Sequence, residues 1–187
     1  MKFSSRDRGI TLVELLVVVV IVAIVAMQII PSFTRLLSAS DRHSEISDLI
    51  TLINLARNTA VYEQTTVTLC PVDGTSHCSR DWNLPLVAFR DPERTRTVAT
   101  PSQIIWQRQT NNIGKIHGAT GIHTYFRFNS SGLAYGAIGN ITWCPDNGDS
   151  TLAAQIRINM GGRPTLAKDR DGDGIVEDSE GNPVVCS

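Results

Sequence analysis

The chain has 187 residues, of which 42% are hydrophobic and 19% charged, and its 17 basic and 18 acidic side chains give a net charge of −1. This balance lacks the overall basic excess that is typical of proteins that bind duplex DNA. The four histidines are scattered and no Gly-x-Ser-x-Gly, Walker or zinc-protease spacing lies near them, so we expect a protein that is not an enzyme.

The chain begins with a short basic stretch that leads directly into an apolar segment. Residues 10–30 contain only three polar side chains, those of Thr11, Glu14 and Gln28. As a helix this segment would span roughly 30 Å at about 1.5 Å per residue, enough to cross a bilayer once. Three basic residues and one acid precede it, so the positive-inside bias predicts a cytoplasmic N-terminus and an extracytoplasmic remainder.

A cleaved secretory signal peptide is the alternative interpretation of this segment, with cleavage after a small residue such as Ala26. The length of the apolar run and the lack of an Ala-x-Ala site favour a retained transmembrane helix over 10–30. Glu14 favours it further, because a carboxylate in a lipid-facing helix costs on the order of 2.5 to 3.5 kcal/mol and therefore usually has a partner.

The segment from Arg8 to Glu14, RGITLVE, resembles the class III signal of type IV prepilins and pseudopilins. The resemblance implies that residues 1–9 are a leader, that a prepilin peptidase cuts between Gly9 and Ile10, and that Ile10 is then N-methylated. Ile10 stands where the family more often has phenylalanine. The resemblance also implies that Glu14 pairs with the N-terminal amine of a neighbouring subunit during assembly, and that Pro31 kinks the helix.

Beyond Pro31 a helical pattern resumes and predicts an amphipathic continuation over residues 31–63. Apolar residues recur at spacings of three and four, among them Leu49, Ile53, Ala56 and Ala60. The opposite, polar face is expected to carry Arg42, Glu45, Asp48 and Arg57. A continuous helix would be about 80 Å long. The alternative is a separate amphipathic helix after a true break at the proline.

Residues 64–187 are richer in Thr, Gly, Asn and Pro, and the helical period disappears. Short β-type runs at 65–69, 86–89 and 104–106 and alternating patterns at 121–128 and 152–159 predict strands. The alternation at 121–128 places Ile122, Phe126 and Phe128 on the buried face. Turns are predicted at 129–132 and 161–162. The expected fold is α+β, an antiparallel sheet packed on the end of a long helix.

Four cysteines in an exported domain predict two disulfides. The most economical pairing joins Cys70 to Cys78 and Cys144 to Cys186, although the sequence alone allows three connectivities. The alternative is a zinc site formed by Cys70, His77 and Cys78, which the wide Cys-x₇-Cys spacing disfavours.

Further short motifs extend the resemblance along the chain to the GspH/FimT family of minor pseudopilins, and within it to the FimT and FimU branch. They are Leu69-Cys70-Pro71, Cys78 before Asp81-Trp82, the segment 126–132, Trp143-Cys144, Gly162-Arg163 and the terminal Cys186. The resemblance implies a type IV pilin-like fold and an inner-membrane subunit with a periplasmic head. It further implies a place at the pilus tip, where the subunit contacts other minor and major pilins and primes assembly. A minor pseudopilin of a type II secretion system is the alternative.

Some members of this family are implicated in binding DNA through a Gly-Arg-x-Arg motif. Here the corresponding stretch, from Gly162 to Thr165, lacks the second arginine. Without its leader the chain has 14 basic and 17 acidic residues, a net charge of −3. A local patch of Arg157, Arg163 and Lys168 is the remaining candidate DNA surface, and a solvated strand face is the alternative.

The acidic segment 169–180, DRDGDGIVEDSE, matches the twelve-residue calcium loop, with carboxylates at positions one, three, five and twelve and glycine at six. The predicted ligands are Asp169, Asp171, Asp173, the Ile175 carbonyl and a bidentate Glu180, with Glu177 binding through water. Proline residues flank the loop on both sides, so we expect a calcium loop without EF-hand helices. The alternative is a solvated Asp-Gly turn. No cofactor is required, and a structural Ca²⁺ is the candidate ligand.

Overall fold

The computed structural model describes residues 11–109, 113–134 and 136–186, apart from the side chains of residues 28–32. One long helix, α1 (Leu12–Tyr62), includes Pro31 and ends next to the expected boundary at residue 63. The chain divides into two compact units, residues 1–39 and 40–187. The first unit contains the beginning of α1, and the second contains the remainder of α1 and all the strands.

Eight strands follow the helix in the described ranges: β1 (Val67–Pro71), β2 (Leu86–Arg90), β3 (Ile104–Arg108), β4 (Lys115–Ala119), β5 (Phe126–Phe128), β6 (Gly139–Cys144), β7 (Ala154–Ile158) and β8 (Pro164–Leu166). They form two four-stranded sheets with the orders β3-β2-β1-β5 and β4-β6-β7-β8. Every pairing within them is antiparallel. The α+β fold class is therefore confirmed, although the strands build two sheets where one was expected.

The end of α1 is buried against both sheets in one hydrophobic core. On the helix, Leu49, Leu52 and Ile53 are almost fully buried. The first sheet contributes residues such as Leu69 and Phe128, and the second contributes residues such as Trp143 and Ile156. Because burying a large apolar side chain contributes roughly 1.5 to 3 kcal/mol, this shared stripe of the helix is the main stabilising feature of the second unit.

The two central strands of the first sheet, β1 and β2, are buried on both faces, and the period of two along them explains how. Leu69 and Ala88 face the helix, whereas the residues next to them, Cys70 and Phe89, face a second cluster. That second cluster includes Val98 and Cys78 from the loops that follow β1 and β2. The loops thus cover the face of the sheet that does not contact the helix.

Glu45 lies in the core side of the helix, not on the exposed polar face where the periodicity placed it. Its side chain is 2% exposed and forms a salt bridge with Arg108 of β3, which is 10% exposed. The edge strand β3 covers this side of α1. The helical pattern of the sequence cannot reveal such a contact, because it depends on a distant segment. Both charges are removed from water and depend on each other.

The predicted strand at 121–128 is shorter than expected, because only Phe126–Phe128 pairs with β1. The His123 amide donates to the Thr120 carbonyl at 3.2 Å, so residues 120–123 form a turn. Ile122 lies on this turn and is 86% exposed, so its predicted burial was wrong. The sequence patterns did not predict β4, β6 or β8, and β4 and β8 have no clear alternation of apolar and polar residues.

Arg57 of α1 joins two turns that belong to different sheets. Its Nε donates to the carbonyl oxygens of Gly132, at 3.0 Å, and Gly161, at 3.3 Å. The first turn follows β5, and the second connects β7 to β8. Gly162 has a φ of +70°, and a Cβ atom there would lie 2.2 Å from the Gly132 carbonyl oxygen. The two turns can approach each other this closely only because position 162 has no side chain.

We expect Gly162→Ala to lower the free energy of unfolding by about 1 to 3 kcal/mol, because alanine is strained at positive φ and its Cβ would collide with backbone. Guanidinium unfolding of the full chain measures the change. Gly161→Ala is the matched control, since its Cβ would meet only the flexible Asn159 side chain at 3.2 Å. Equal effects of the two substitutions would contradict the proposed close approach.

Candidate functional sites

The N-terminal segment presents an apolar helix whose side chains the described part of the chain does not cover. The helix begins after Thr11, whose hydroxyl accepts a hydrogen bond from the Glu14 amide at 3.2 Å. From Leu12 to Val25 every side chain is exposed. The predicted cleavage residues Gly9 and Ile10 lie outside the described residues, as does the side chain of Pro31.

Glu14 lies in the first turn of α1 and is exposed. Within the described part of the chain its carboxylate has no hydrogen-bond or ion-pair partner. Glu14 is the one acidic residue between Leu12 and Val25, where all the other side chains are aliphatic.

No helix in the described part of the chain combines the length and the apolarity needed to cross a membrane. The expected segment 10–30 extends beyond that part at both ends, because Ile10 and the side chains of residues 28–30 are not described.

Both disulfides join the cysteines that the economical pairing favoured. Cys70 bonds to Cys78 and Cys144 bonds to Cys186, with Cα atoms 5.5 and 5.7 Å apart. The first sulfur pair is therefore not available as thiolate ligands for zinc. The second disulfide attaches the C-terminal segment to β6, next to the acidic segment 169–180.

The acidic segment 169–180 folds so that four carboxylates converge. One oxygen from each of Asp169, Asp171, Asp173 and Glu177 lies within 4.8 Å of the others. The three aspartates are exposed and Glu177 is 6% exposed. Hard oxygen ligands at this spacing suit a divalent cation such as Ca²⁺ or Mg²⁺. This cluster could therefore hold a metal ion.

Backbone amides inside the segment hold these carboxylates in place. Asp169 accepts hydrogen bonds from the amides of Gly172 and Gly174 at 2.6 and 2.9 Å. Glu177 accepts one from the Arg170 amide at 2.8 Å. Both glycines have positive φ, which lets the chain curl tightly around the aspartates.

Glu180, the expected closing ligand, is not part of the converging group. Glu177 forms an antiparallel bridge with Pro183, so the chain reverses direction over residues 178–182 and carries Glu180 away on that turn. The amide of Asn182 donates to the Asp178 carboxylate at 2.9 Å, and this hydrogen bond holds the pKa of Asp178 below its usual range. Glu177 was missed as a direct ligand because nothing in the local sequence reveals this reversal.

Hydrogen bonds attach the start of the segment to the second sheet and its end to the chain that follows it. The Ala167 amide donates to the Gln155 carbonyl at 2.8 Å, and the Val184 amide donates to the Val176 carbonyl at 2.9 Å. These alanine and valine side chains pack with the Cys144 sulfur in a small buried cluster.

The three basic residues that were candidates for a DNA surface lie on or beside β7 and β8. Arg157 is half-buried on β7 opposite Thr165, and Arg163 and Lys168 are exposed just before and just after β8. Arg157 has a buried Nε without a hydrogen-bond partner among the described residues. DNA binding by these residues stays a prediction.

Comparisons with known proteins agree with the fold. The family model of Type II transport protein GspH matches residues 45–162, more than half of the chain, and the model of the Prokaryotic N-terminal methylation motif matches residues 4–27. No curated protein matches the chain by sequence.

Two crystal structures of the type IV minor pilin FimU from Pseudomonas aeruginosa resemble this chain. The FimU structure in space group P21 matches with a TM-score of 0.56 at 15% identity, and the match covers 79% of this chain and 96% of the FimU chain. In space group P65 the TM-score is 0.52 at 15% identity, covering 78% of this chain and 99% of that chain. At this identity the likeness shows the fold alone.

We expect Cys144→Ser/Cys186→Ser to lower the free energy of unfolding more than Cys70→Ser/Cys78→Ser. Cys144 and Cys186 are 42 positions apart in the sequence, whereas Cys70 and Cys78 are only 8 apart. Opening the longer loop should lower the free energy of unfolding by about 4 kcal/mol, and opening the shorter loop by about 2.5 kcal/mol. Each double variant leaves no unpaired thiol, so guanidinium unfolding compares the two directly. The opposite ranking would show that the C-terminal segment is not stabilised by its disulfide.

Proposed function

Because the chain belongs to the GspH family and carries the N-terminal methylation motif, we propose that it is a minor pilin of a type IV pilus. In this proposal a prepilin peptidase removes residues 1–9, and Ile10 becomes the methylated N-terminus. The subunit waits in the bacterial inner membrane with a periplasmic head. It then joins the pilus at or near its tip, where it primes assembly with other pilins.

The exposed apolar surface of α1 is the observation that supports this proposal. From Leu12 to Val25 the helix offers aliphatic side chains that nothing in the described chain covers. Such a surface is unfavourable in water and requires either lipid or the helices of other subunits. A pilin meets both environments in turn, first in the membrane and then in the fibre.

Glu14 is proposed to set the register of assembly. A carboxylate and an amine are each costly in an apolar environment, but they become tolerable when they meet as a pair. The amine in this proposal is the new N-terminus of a neighbouring subunit. The Glu14 carboxylate lies on the apolar surface and has no partner among the described residues, which suits that role.

A pseudopilin of a type II secretion system is the second candidate function. The matching family model is described as a type II transport protein, whereas the solved structures are of a type IV minor pilin. Deleting the gene and scoring piliation and protein secretion in the same strain distinguishes the two. Loss of pili with intact secretion supports the pilus, and the reverse supports the secretion system.

We expect Glu14→Gln to reduce incorporation into fibres at least tenfold, since the amide keeps the shape but loses the charge that attracts the amine. Immunoblots of sheared fibres, normalised to the membrane pool, measure incorporation. Asp48→Asn is the matched control, because it removes an exposed acid from the same helix outside the predicted membrane segment.

Mass spectrometry of the membrane-extracted protein should also find Ile10 as the first residue; another start would contradict the proposed processing.

The acidic segment is proposed to bind Ca²⁺ in a structural role. Its sequence has the spacing of a calcium loop, and four of its carboxylates converge. Like charges so close together repel one another, and a divalent cation would offset that repulsion. Binding would tighten the segment between β8 and the disulfide at Cys186.

We expect calorimetric titration of the full chain in an uncharged detergent to detect Ca²⁺ binding, with Asp171→Asn weakening it at least tenfold. Glu180→Gln should have a small effect, because that carboxylate lies outside the converging group. Asp146→Asn, an acid outside the segment, is the control. Absence of binding heat together with an unchanged melting temperature would exclude the metal site, and a large effect of Glu180→Gln would restore the ligand set expected from the sequence.

A further inference from the structure

The loop after β2 holds its backbone in an unusual conformation around one buried acid. Asp91 is 1% exposed and accepts hydrogen bonds from the amides of Thr95, at 2.7 Å, and Arg96, at 3.2 Å. The Thr68 hydroxyl donates to the same carboxylate at 2.8 Å. The carboxylate thus fixes the loop, in which Arg94 and Arg96 both have positive φ, at 58° and 61°.

Arg94 of this loop lines a small cavity of about 100 Å³ together with a second arginine, Arg127. The cavity is lined by Thr66, Arg94, Arg127, Asn129 and Leu133. It is several times the roughly 30 Å³ that a water molecule occupies in the liquid, and smaller than the 300 Å³ or more of pockets for drug-sized ligands. Its size and its two guanidinium groups suit a compact anion.

Arg127 is held in place by several weak contacts. Its guanidinium lies 4.4 Å from the centre of the Tyr125 ring, a cation–π distance. It donates to the Thr68 hydroxyl and to the Arg94 carbonyl, each at 3.4 Å, and lies 3.6 Å from Asp91. These long contacts orient the cation, but a stronger acceptor could compete for its N–H groups.

Two further side chains at the cavity, those of Arg94 and Asn129, have N–H groups that can donate hydrogen bonds. The Arg94 side chain has no hydrogen-bond or ion-pair partner within the described residues. The Asn129 side-chain oxygen accepts from the amides of Ser131 and Leu133 at 3.0 and 2.9 Å. This fixes the orientation of the amide group, and its NH₂ makes no hydrogen bond within the described residues.

The acids near the cavity do not cancel its cationic character. The Asp91 charge is already shared among four hydrogen-bond donors and Arg127, and it is buried beneath the loop. Glu93, the other acid of the loop, is exposed and does not line the cavity. The groups that do line it are two cations, one amide, one hydroxyl and one leucine.

We propose that this cavity binds a compact oxyanion, of the size and charge of a phosphate group. Arg94 and Arg127 supply the charge, and the Asn129 NH₂ donates a hydrogen bond. Guanidinium groups bind such oxyanions through strong, directed, charge-assisted hydrogen bonds. The phosphate could be free or part of a larger molecule, and the shared chemistry is the same.

The test is calorimetric titration of the full chain, in an uncharged detergent at constant ionic strength, with inorganic phosphate. Asn129→Asp is the sharpest variant, because its carboxylate still accepts the two turn amides while its charge repels an anion. We expect it to weaken phosphate binding at least tenfold. Asn147→Asp is the matched control, since Asn147 likewise accepts a backbone amide in a turn, that of Asp149 at 3.0 Å.

Failure of the unaltered chain to bind phosphate, or equal affinities of Asn129→Asp and Asn147→Asp, would overturn the proposal. If Asn129→Asp does not fold, Arg94→Gln decides in its place, with Arg80→Gln as the control at an exposed arginine elsewhere. A short single-stranded oligonucleotide then distinguishes the sources. Binding that competes with phosphate and is lost in Asn129→Asp assigns an esterified phosphate, and binding of inorganic phosphate alone assigns a free anion.

Discussion

The second unit depends on the apolar stripe of α1 that both sheets share. The helix contributes Leu49, Leu52 and Ile53, and neither sheet could bury its inner face without them. Helices within proteins gain most of their stability from such tertiary packing. Because each sheet packs against the same stripe, this one contact positions the two sheets.

Polar contacts then define how the sheets are arranged around this stripe. Arg57 joins a turn of each sheet to the helix, and Glu45 pairs with Arg108 at the edge of the first sheet. A buried ion pair is weak evidence for stability, because desolvation offsets much of the attraction. Its geometric requirement is strict, however, and we infer that it favours one placement of β3 over its alternatives.

The same helix has the opposite character in the first unit. There its aliphatic side chains are exposed, and Glu14 has no partner in the described chain. A helix that is covered by its own sheets at one end, and by no other described residue at the other end, suits a subunit completed by an external environment. The family to which the chain belongs, with its methylation motif, is consistent with that division of roles.

The sequence by itself determined the long helix, the α+β class, the strands β1, β2, β3 and β7, and the family, because periodicity and the motif around Gly9 are local properties. It also favoured the disulfide pairs. Only the tertiary structure decided that there are two sheets, that Glu45 is buried, and that Glu177 replaces Glu180 in the carboxylate cluster. These features depend on which distant segments cover a residue, and a local pattern carries no information about such contacts. The cavity between Arg94 and Arg127 is of the same kind, since 33 positions of sequence separate its two cations.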